Sequence, residues 1–150
     1  MASELNHSLN VEMEEVVVLL RRHGVTVALE PGDLVVAKGK RLTSLFFIAS
    51  GCLEPAWSTQ DVVAGNWRLG PGACLGDMGL LAGASVAPVD LVCIEPGAMY
   101  ELSAEAFAAL VAREEYAAMV LYRYLARSCA GRLAALQDEF TRLRMLLVIR

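Results

Sequence analysis

Residues 69–90 read Leu69-Gly-Pro-Gly-Ala-Cys-Leu-Gly-Asp-Met-Gly-Leu-Leu-Ala-Gly-Ala-Ser-Val-Ala-Pro-Val-Asp90, and this stretch decides the fold. Pro71-Gly72 turns the backbone and Gly76 turns it again. Asp77-Met-Gly-Leu-Leu81 then has room for one or two helical turns before Gly83 ends them. A short helix entered through glycine and an acidic residue leaves backbone N–H groups without intrahelical partners, which is the physical requirement for holding an anion. The segment therefore predicts a phosphate cradle.

Upstream and downstream, short β-rich runs alternate with turn chemistry. The runs are Val25 to Leu29, Leu34 to Ala37, Ser44 to Ala49, Cys52 to Trp57, Asn66 to Leu69, Val86 to Ile94 and Ala98 to Leu102, punctuated by Pro-Gly pairs at 31–32, 71–72 and 96–97. Such spacing predicts a β-sandwich or jelly-roll barrel rather than alternating βα units. Pro55 and Pro88 fit only strand edges or bulges. Trp57 and Trp67 flank a polar loop, Ser58 to Asn66, and are expected to pack on the barrel.

Helices bracket these runs. Asn10 to His23 carries Glu12, Glu14 and Glu15 early and Arg21, Arg22 and His23 late, with Gly24 after them, as the helix macrodipole and a C-terminal cap favour. After the last run, Ser103 offers an N-cap for a helix over Ala104 to Ala112. A second helix is predicted from about Glu114 to Val148, with Gly131 as its weak point. The expected organisation is an N-terminal helical segment over 1–24, a β-roll over 25–103 with the cradle at 75–88, and C-terminal helices over 104–150.

Composition bounds the function. The 150 residues are 56% hydrophobic and 20% charged with net charge −4, so the chain is a folded domain rather than a disordered one and lacks the basic face that nucleic acid requires. Val16 to Leu20 is far shorter than a membrane span, there is no secretory signal, and a cytoplasmic location is expected. Cys52, Cys74, Cys93 and Cys129 show no metal or redox spacing and read as reduced thiols. His7 and His23 are far apart, and neither Ser50 nor Ser128 has a histidine in motif context, so no metal centre and no enzyme is expected.

The order and spacing of several motifs resemble the cyclic-nucleotide-binding domain family. Glu30-Pro-Gly-Asp-Leu-Val-Val-Ala-Lys-Gly39, Leu45-Phe-Phe-Ile-Ala-Ser-Gly51, Leu69-Gly-Pro-Gly72 and Leu75-Gly-Asp-Met-Gly-Leu-Leu81 put Gly32, Gly39, Gly51, Gly72 and Gly76 where that family has its turn glycines. The resemblance spans roughly Val25 to Leu110. It implies a mainly β fold with flanking helices, an eight-stranded β-roll or jelly-roll barrel of the catabolite-activator type. The variant Gly76-Asp-Met-Gly-Leu-Leu81, with Met99-Tyr-Glu-Leu-Ser103, is most similar to the cytosolic C-terminal versions in bacterial sulfate-permease-type transporters, which makes a transporter or channel domain the implied partner.

By that resemblance the candidate ligand site is Gly76, Asp77, Met78, Ser85, Val86 and Ala87. The family's glutamate, which accepts from a ribose hydroxyl, corresponds to Asp77, and its phosphate-pairing arginine falls on Val86. A charged hydrogen bond contributes about 1.5–3 kcal/mol, so its loss weakens a cyclic nucleotide by about one to several powers of ten. Arg41 and Arg68 are the nearby candidates to replace that arginine. Two readings follow. Either the pocket is degenerate and the module regulates or assembles, with a cyclic nucleotide bound weakly or not at all, or the domain is a working receptor using backbone amides and Ser85.

Leu133, Leu136, Phe140, Leu143 and Leu147 repeat at three and four residues and form a heptad seam. In a parallel pair Glu139 occupies a g position and Arg144 the following e position. The seam is a candidate homodimer surface; the alternatives are packing on the chain's own barrel or on a partner domain. Met145 to Ile149 is apolar on nearly all faces but too short to span a bilayer.

Overall fold

A computed structural model describes residues 2–56, 68–83 and 85–148, with residues 2–10 as backbone. Trp57, Trp67 and the predicted loop between them, together with Ile149 and the His7 side chain, lie outside the described residues.

The element order is α1 (Ala2–His23), β1 (Val25–Leu29), β2 (Leu34–Val36), β3 (Ser44–Ala56), β4 (Cys74–Leu75), α2 (Asp77–Ala82), β5 (Asp90–Ser103), α3 (Ala104–Arg113) and α4 (Glu115–Val148). All strand pairs are antiparallel, in the order β1-β5-β3-β4 with β2 also on β5. The sheet is mainly β with flanking helices as expected, but among the described residues it has five strands rather than eight, and it is not closed.

The difference has a physical cause. The runs Ser44 to Ala49 and Cys52 to Trp57 merge into the single strand β3, and the last two runs merge into β5, so Pro96-Gly97 is not a turn. Instead β3 and β5 pair over their whole lengths with register shifts around Ser50 and Cys52. Gly51 has φ +86°, and a Cβ there would lie 2.7 Å from the Glu95 carbonyl oxygen; a Cβ on Gly97 would run into the Ser50 carbonyl. The two glycines allow the backbones to pass closely through a bulge that bends both strands. Pro55 pairs with Leu91 near the end of β3, where no strand lies on its other side among the described residues.

Alternation along β3 divides the core. Leu45 and Phe47 face α1 and α4, where they pack with Val16, Leu20, Leu102, Leu121 and Leu125. Phe46, Ile48 and Leu53 face the inside of the roll with Leu29, Cys93 and Met99. A polar clamp completes the helical layer: Glu12 of α1, 3% exposed, accepts from Arg123 at 2.6 Å and from Arg127, both on α4. The four cysteines are free; Cys52, Cys74 and Cys93 are buried and Cys129 is half-buried.

Candidate functional site

Each turn of the cradle is built by a glycine with a specific neighbour. β4 pairs Cys74 and Leu75 with Phe47 and Phe46 of β3, and Gly76 then adopts φ +77° as the N-cap of α2. A Cβ on Gly76 would run into the Ser44 carbonyl oxygen, so no other residue fits without moving the strand. Gly83, with φ +81°, closes the helix by donating to Gly79 O at 3.0 Å. The helix start and end therefore lie where the sequence predicts.

The segment after α2 returns along residues 39–42. Leu42 N–H donates to Ser85 O at 3.0 Å, Ala87 N–H to Lys40 O at 2.9 Å, and Gly39 N–H to Ala87 O at 2.8 Å. Arg41 and Val86 face each other in an isolated antiparallel bridge, so their side chains share one face. Ala87 is buried, Ser85 is half-buried and Val86 is 57% exposed. Met78 and Leu81 form the exposed side of α2. The candidate residues do not share one open face, since Asp77 and Ala87 are buried while Met78 and Val86 are exposed, and Arg41 is the cation that pairing brings beside Val86. Arg68 is exposed next to the Leu53–Leu69 bridge.

Asp77 does not face an open pocket. It is 2% exposed, and its Oδ2 accepts from Arg132 Nη2 of α4 and from Cys129 Sγ at 3.2 Å. Arg132 Nη2 also approaches Cys129 Sγ at 3.3 Å. The acid is therefore matched by a cation 55 residues along the chain. Sequence reasoning missed Arg132 because it considered only cations near the cradle in sequence. The usable signal was a polar step, Cys129 and Arg132 three apart, beside an apolar stripe.

The electrostatics follow from this packing. Burial pushes the Cys74 thiol up to about 12, and the Asp77 charge acts in the same direction. Burial and the hydrogen bond to Asp77 also raise Cys129. Neither thiol is therefore a nucleophile at neutral pH. Burial alone would lower the Arg132 guanidinium, but the Asp77 carboxylate outweighs it and the net direction is upward. An ion pair with one nearly buried partner is expensive to break, because the remaining charge is left without solvent. Next door, Tyr124 of α4 donates to Gly72 O at 2.6 Å, and burial raises its hydroxyl to about 12. The long helix thus grips the cradle at two points.

The seam residues Leu133, Leu136, Phe140, Leu143 and Leu147 are all exposed, so they do not pack on the chain's own sheet. No helix among the described residues is long and apolar enough to cross a membrane.

Comparison with known proteins gives the same architecture. The cyclic nucleotide-binding domain family matches residues 26–114. A protein of a cyclic-GMP-dependent signalling pathway in bacterial phytopathogenesis is 21% identical over 79% of this chain and 91% of its own, with a TM-score of 0.64. The Thermus thermophilus catabolite activator protein is 23% identical over 89% of this chain but only 59% of its own, with a TM-score of 0.60. A cyclic nucleotide-binding domain from Methylobacillus flagellatus superposes with a TM-score of 0.70 at 15% identity, over 87% of this chain and 83% of its own. No curated protein matches the chain significantly. With its matched region covering well over half of the sequence, the chain belongs to the cyclic nucleotide-binding domain family.

Proposed function

We propose that the chain is a non-enzymatic regulatory and assembly module whose ligand pocket is degenerate because its own C-terminal helix occupies the cradle's acid. The observation that carries this reading is the Asp77–Arg132 ion pair, closed by Cys129. A carboxylate already satisfied by a guanidinium has no reason to accept from a sugar hydroxyl, and Val86 supplies no charge for a phosphate. The sequence resemblance further suggests that the module serves a transporter or channel as a cytosolic sensing or oligomerisation domain.

A second reading has one observation in its favour. Arg41 stands across the bridge from Val86, pairs with no carboxylate among the described residues, and could restore a cation on that face beside Ser85. The domain would then be a working cyclic-nucleotide receptor, as its neighbour in cyclic-GMP signalling suggests.

Calorimetric titration with cyclic AMP and cyclic GMP decides between them. The degenerate reading expects no saturable heat up to about 1 mM ligand, where binding would be worth only ~4 kcal/mol. Micromolar binding that is lost in both Asp77→Ala and Arg41→Ala would overturn it in favour of the receptor. Val86→Arg combined with Arg132→Ala is expected to create or tighten binding at least about tenfold, since it returns the cation and frees the acid.

A further inference from the structure

The face that carries α2 and residues 38–42 is basic and apolar in a chain whose net charge is −4. Lys38, Lys40 and Arg41 are all exposed, and none of them pairs with a carboxylate among the described residues. The sequence holds no acid from 37 to 53, and none from 78 to 89. The two acids bordering the second stretch are turned inward. Asp77 is 2% exposed and held by Arg132, and the half-buried Asp90 accepts from the Lys38 N–H at 2.6 Å. Elsewhere cations and acids are interleaved: Arg123 and Arg127 share Glu12, and Arg21 and Arg22 follow Glu12, Glu14 and Glu15 on α1. The field over this one face is therefore positive, while the rest of the chain carries the negative excess.

Large aliphatic side chains stand among these cations. Met78 is 58%, Leu81 43% and Val86 57% exposed. Met78 and Leu81 lie three apart on α2 and share its outer side, and Val86 faces Arg41 across the bridge. Gly79 seats α2 on that bridge, since a Cβ there would lie 2.5 Å from the Leu42 carbonyl oxygen and 3.3 Å from Ser85 Cβ. Helix and bridge are thus one packed body. Its turns project outward, because a Cβ on Gly39 or Gly83 would meet nothing within 4 Å. Aliphatic side chains projecting among unpaired cations match a surface that is anionic outside and apolar just beneath, which is the chemistry of an acidic phospholipid layer. A nucleic-acid backbone offers the charge but no apolar layer for Met78 and Leu81 to enter.

We propose that this face docks the chain on an anionic phospholipid surface, with Lys38, Lys40 and Arg41 at the headgroup phosphates and Met78, Leu81 and Val86 in the boundary beneath them. No helix among the described residues is long and apolar enough to cross the bilayer, so the contact is peripheral. Three cations and three aliphatic side chains give an attachment comparable with that of one acyl chain, half-bound at about 0.1 mM accessible lipid. Such binding is reversible and weakens with salt. Repulsion of the acidic remainder orients the docked chain, so the Val86 end of the cradle lies against the bilayer. The inference needs no nucleotide and rests on neither reading of the pocket.

Cosedimentation of the full chain with extruded vesicles tests it. Binding is expected on phosphatidylcholine containing about one quarter phosphatidylserine and is expected to vanish on phosphatidylcholine alone. Lys40→Gln with Arg41→Gln is expected to weaken binding about 25-fold, at about fivefold for each cation. Met78→Ser with Leu81→Ser, both exposed, is expected to weaken it at least about tenfold with an unchanged circular dichroism spectrum. Arg22→Gln on α1 is expected to leave it unchanged. A wild-type chain that stays in the supernatant overturns the proposal, as does binding that Arg22→Gln weakens as much as the Lys40 and Arg41 pair. Binding that survives Met78→Ser with Leu81→Ser would be charge alone, and a short duplex DNA held through the same cations as tightly as the vesicles would assign the face to a polyanion; each result overturns docking into a bilayer. Vesicle binding is read apart from the cyclic-nucleotide titrations, so either can fail without the other.

Discussion

The two ends of the cradle differ in how firmly they are built. At the acid end, Gly76 presses on Ser44, and Asp77 is buried against Arg132 and Cys129 of α4. At the other end, Val86 is exposed, Arg41 beside it has no carboxylate partner among the described residues, and Gly39 has open space around it. The acid end is buried and paired, whereas the Val86 end is exposed. Close packing against the Ser44 carbonyl is enough to require glycine at 76.

The sharpest contrast is expected between Gly76→Ala and Gly39→Ala. Both glycines have positive φ, so each substitution carries about 1–2 kcal/mol of backbone strain. Only Gly76 adds a collision with a backbone oxygen, which raises its expected loss to about 4 kcal/mol. Urea denaturation measures both, and equal losses would mean that the acid end is no more tightly packed than the other.

The next contrast is charge. Arg132→Ala leaves a nearly buried carboxylate without its cation and is expected to lose about 2–3 kcal/mol. Asp77→Asn with Arg132→Ala removes both charges, so it is expected to recover part of that loss. Val86→Ser on the exposed side should change stability by less than about 0.5 kcal/mol. If the double variant is less stable than Arg132→Ala alone, Asp77 is held by contacts other than charge.

Local signals carried most of the fold into view. Ser103 caps α3 by accepting from Ala106 N–H at 3.1 Å, β1 has the predicted limits, and α4 starts within a residue of its expected position. Each depends on neighbours a few positions apart. Helix α1 begins at Ala2, eight residues before the predicted Asn10, so its start was not marked by the acidic turn. Pro96-Gly97 misled for a different reason: a glycine needed for close passage of two strands looks the same in sequence as a glycine needed for a turn. Arg132 left only the polar step with Cys129 beside the apolar stripe, and nothing in that step names a partner 55 residues away.

Alkaline pH separates the ends more gently. Cys74 keeps its proton to about pH 12 when folded, against 9.0 for the unfolded thiol, and Tyr124 keeps its proton to about 12 against 10.0. Between those values the folded chain binds more protons than the unfolded one, so stability is full below pH 9 and falls as pH rises. Each group removes up to ~1.4 kcal/mol per pH unit within its window. Cys74→Ala should reduce the first part of the fall, from pH 9 to 10, where Tyr124 does not yet contribute and the raised thiols of Cys93 and Cys129 supply the rest. A fall of the same slope in that variant would exclude the thiol as its source.

Tyr124→Phe gives the smallest effect and tests whether α4 holds the cradle by more than the ion pair. The substitution keeps the ring, which packs at 5.8 Å from Phe47, and deletes only the hydroxyl that donates to Gly72 O. Gly72 sits in the turn that leads into β4, so the bond ties the entrance of the cradle to the same helix that supplies Arg132. Losing it should cost about 1 kcal/mol and abolish the stability change otherwise expected from this hydroxyl between pH 10 and 12. Combined with Arg132→Ala, the losses should fall short of their sum if both contacts hold one mobile unit, because the first removal already loosens what the second was holding. Simple additivity would show that α4 grips the two points independently, and the acid end would then be two separate contacts.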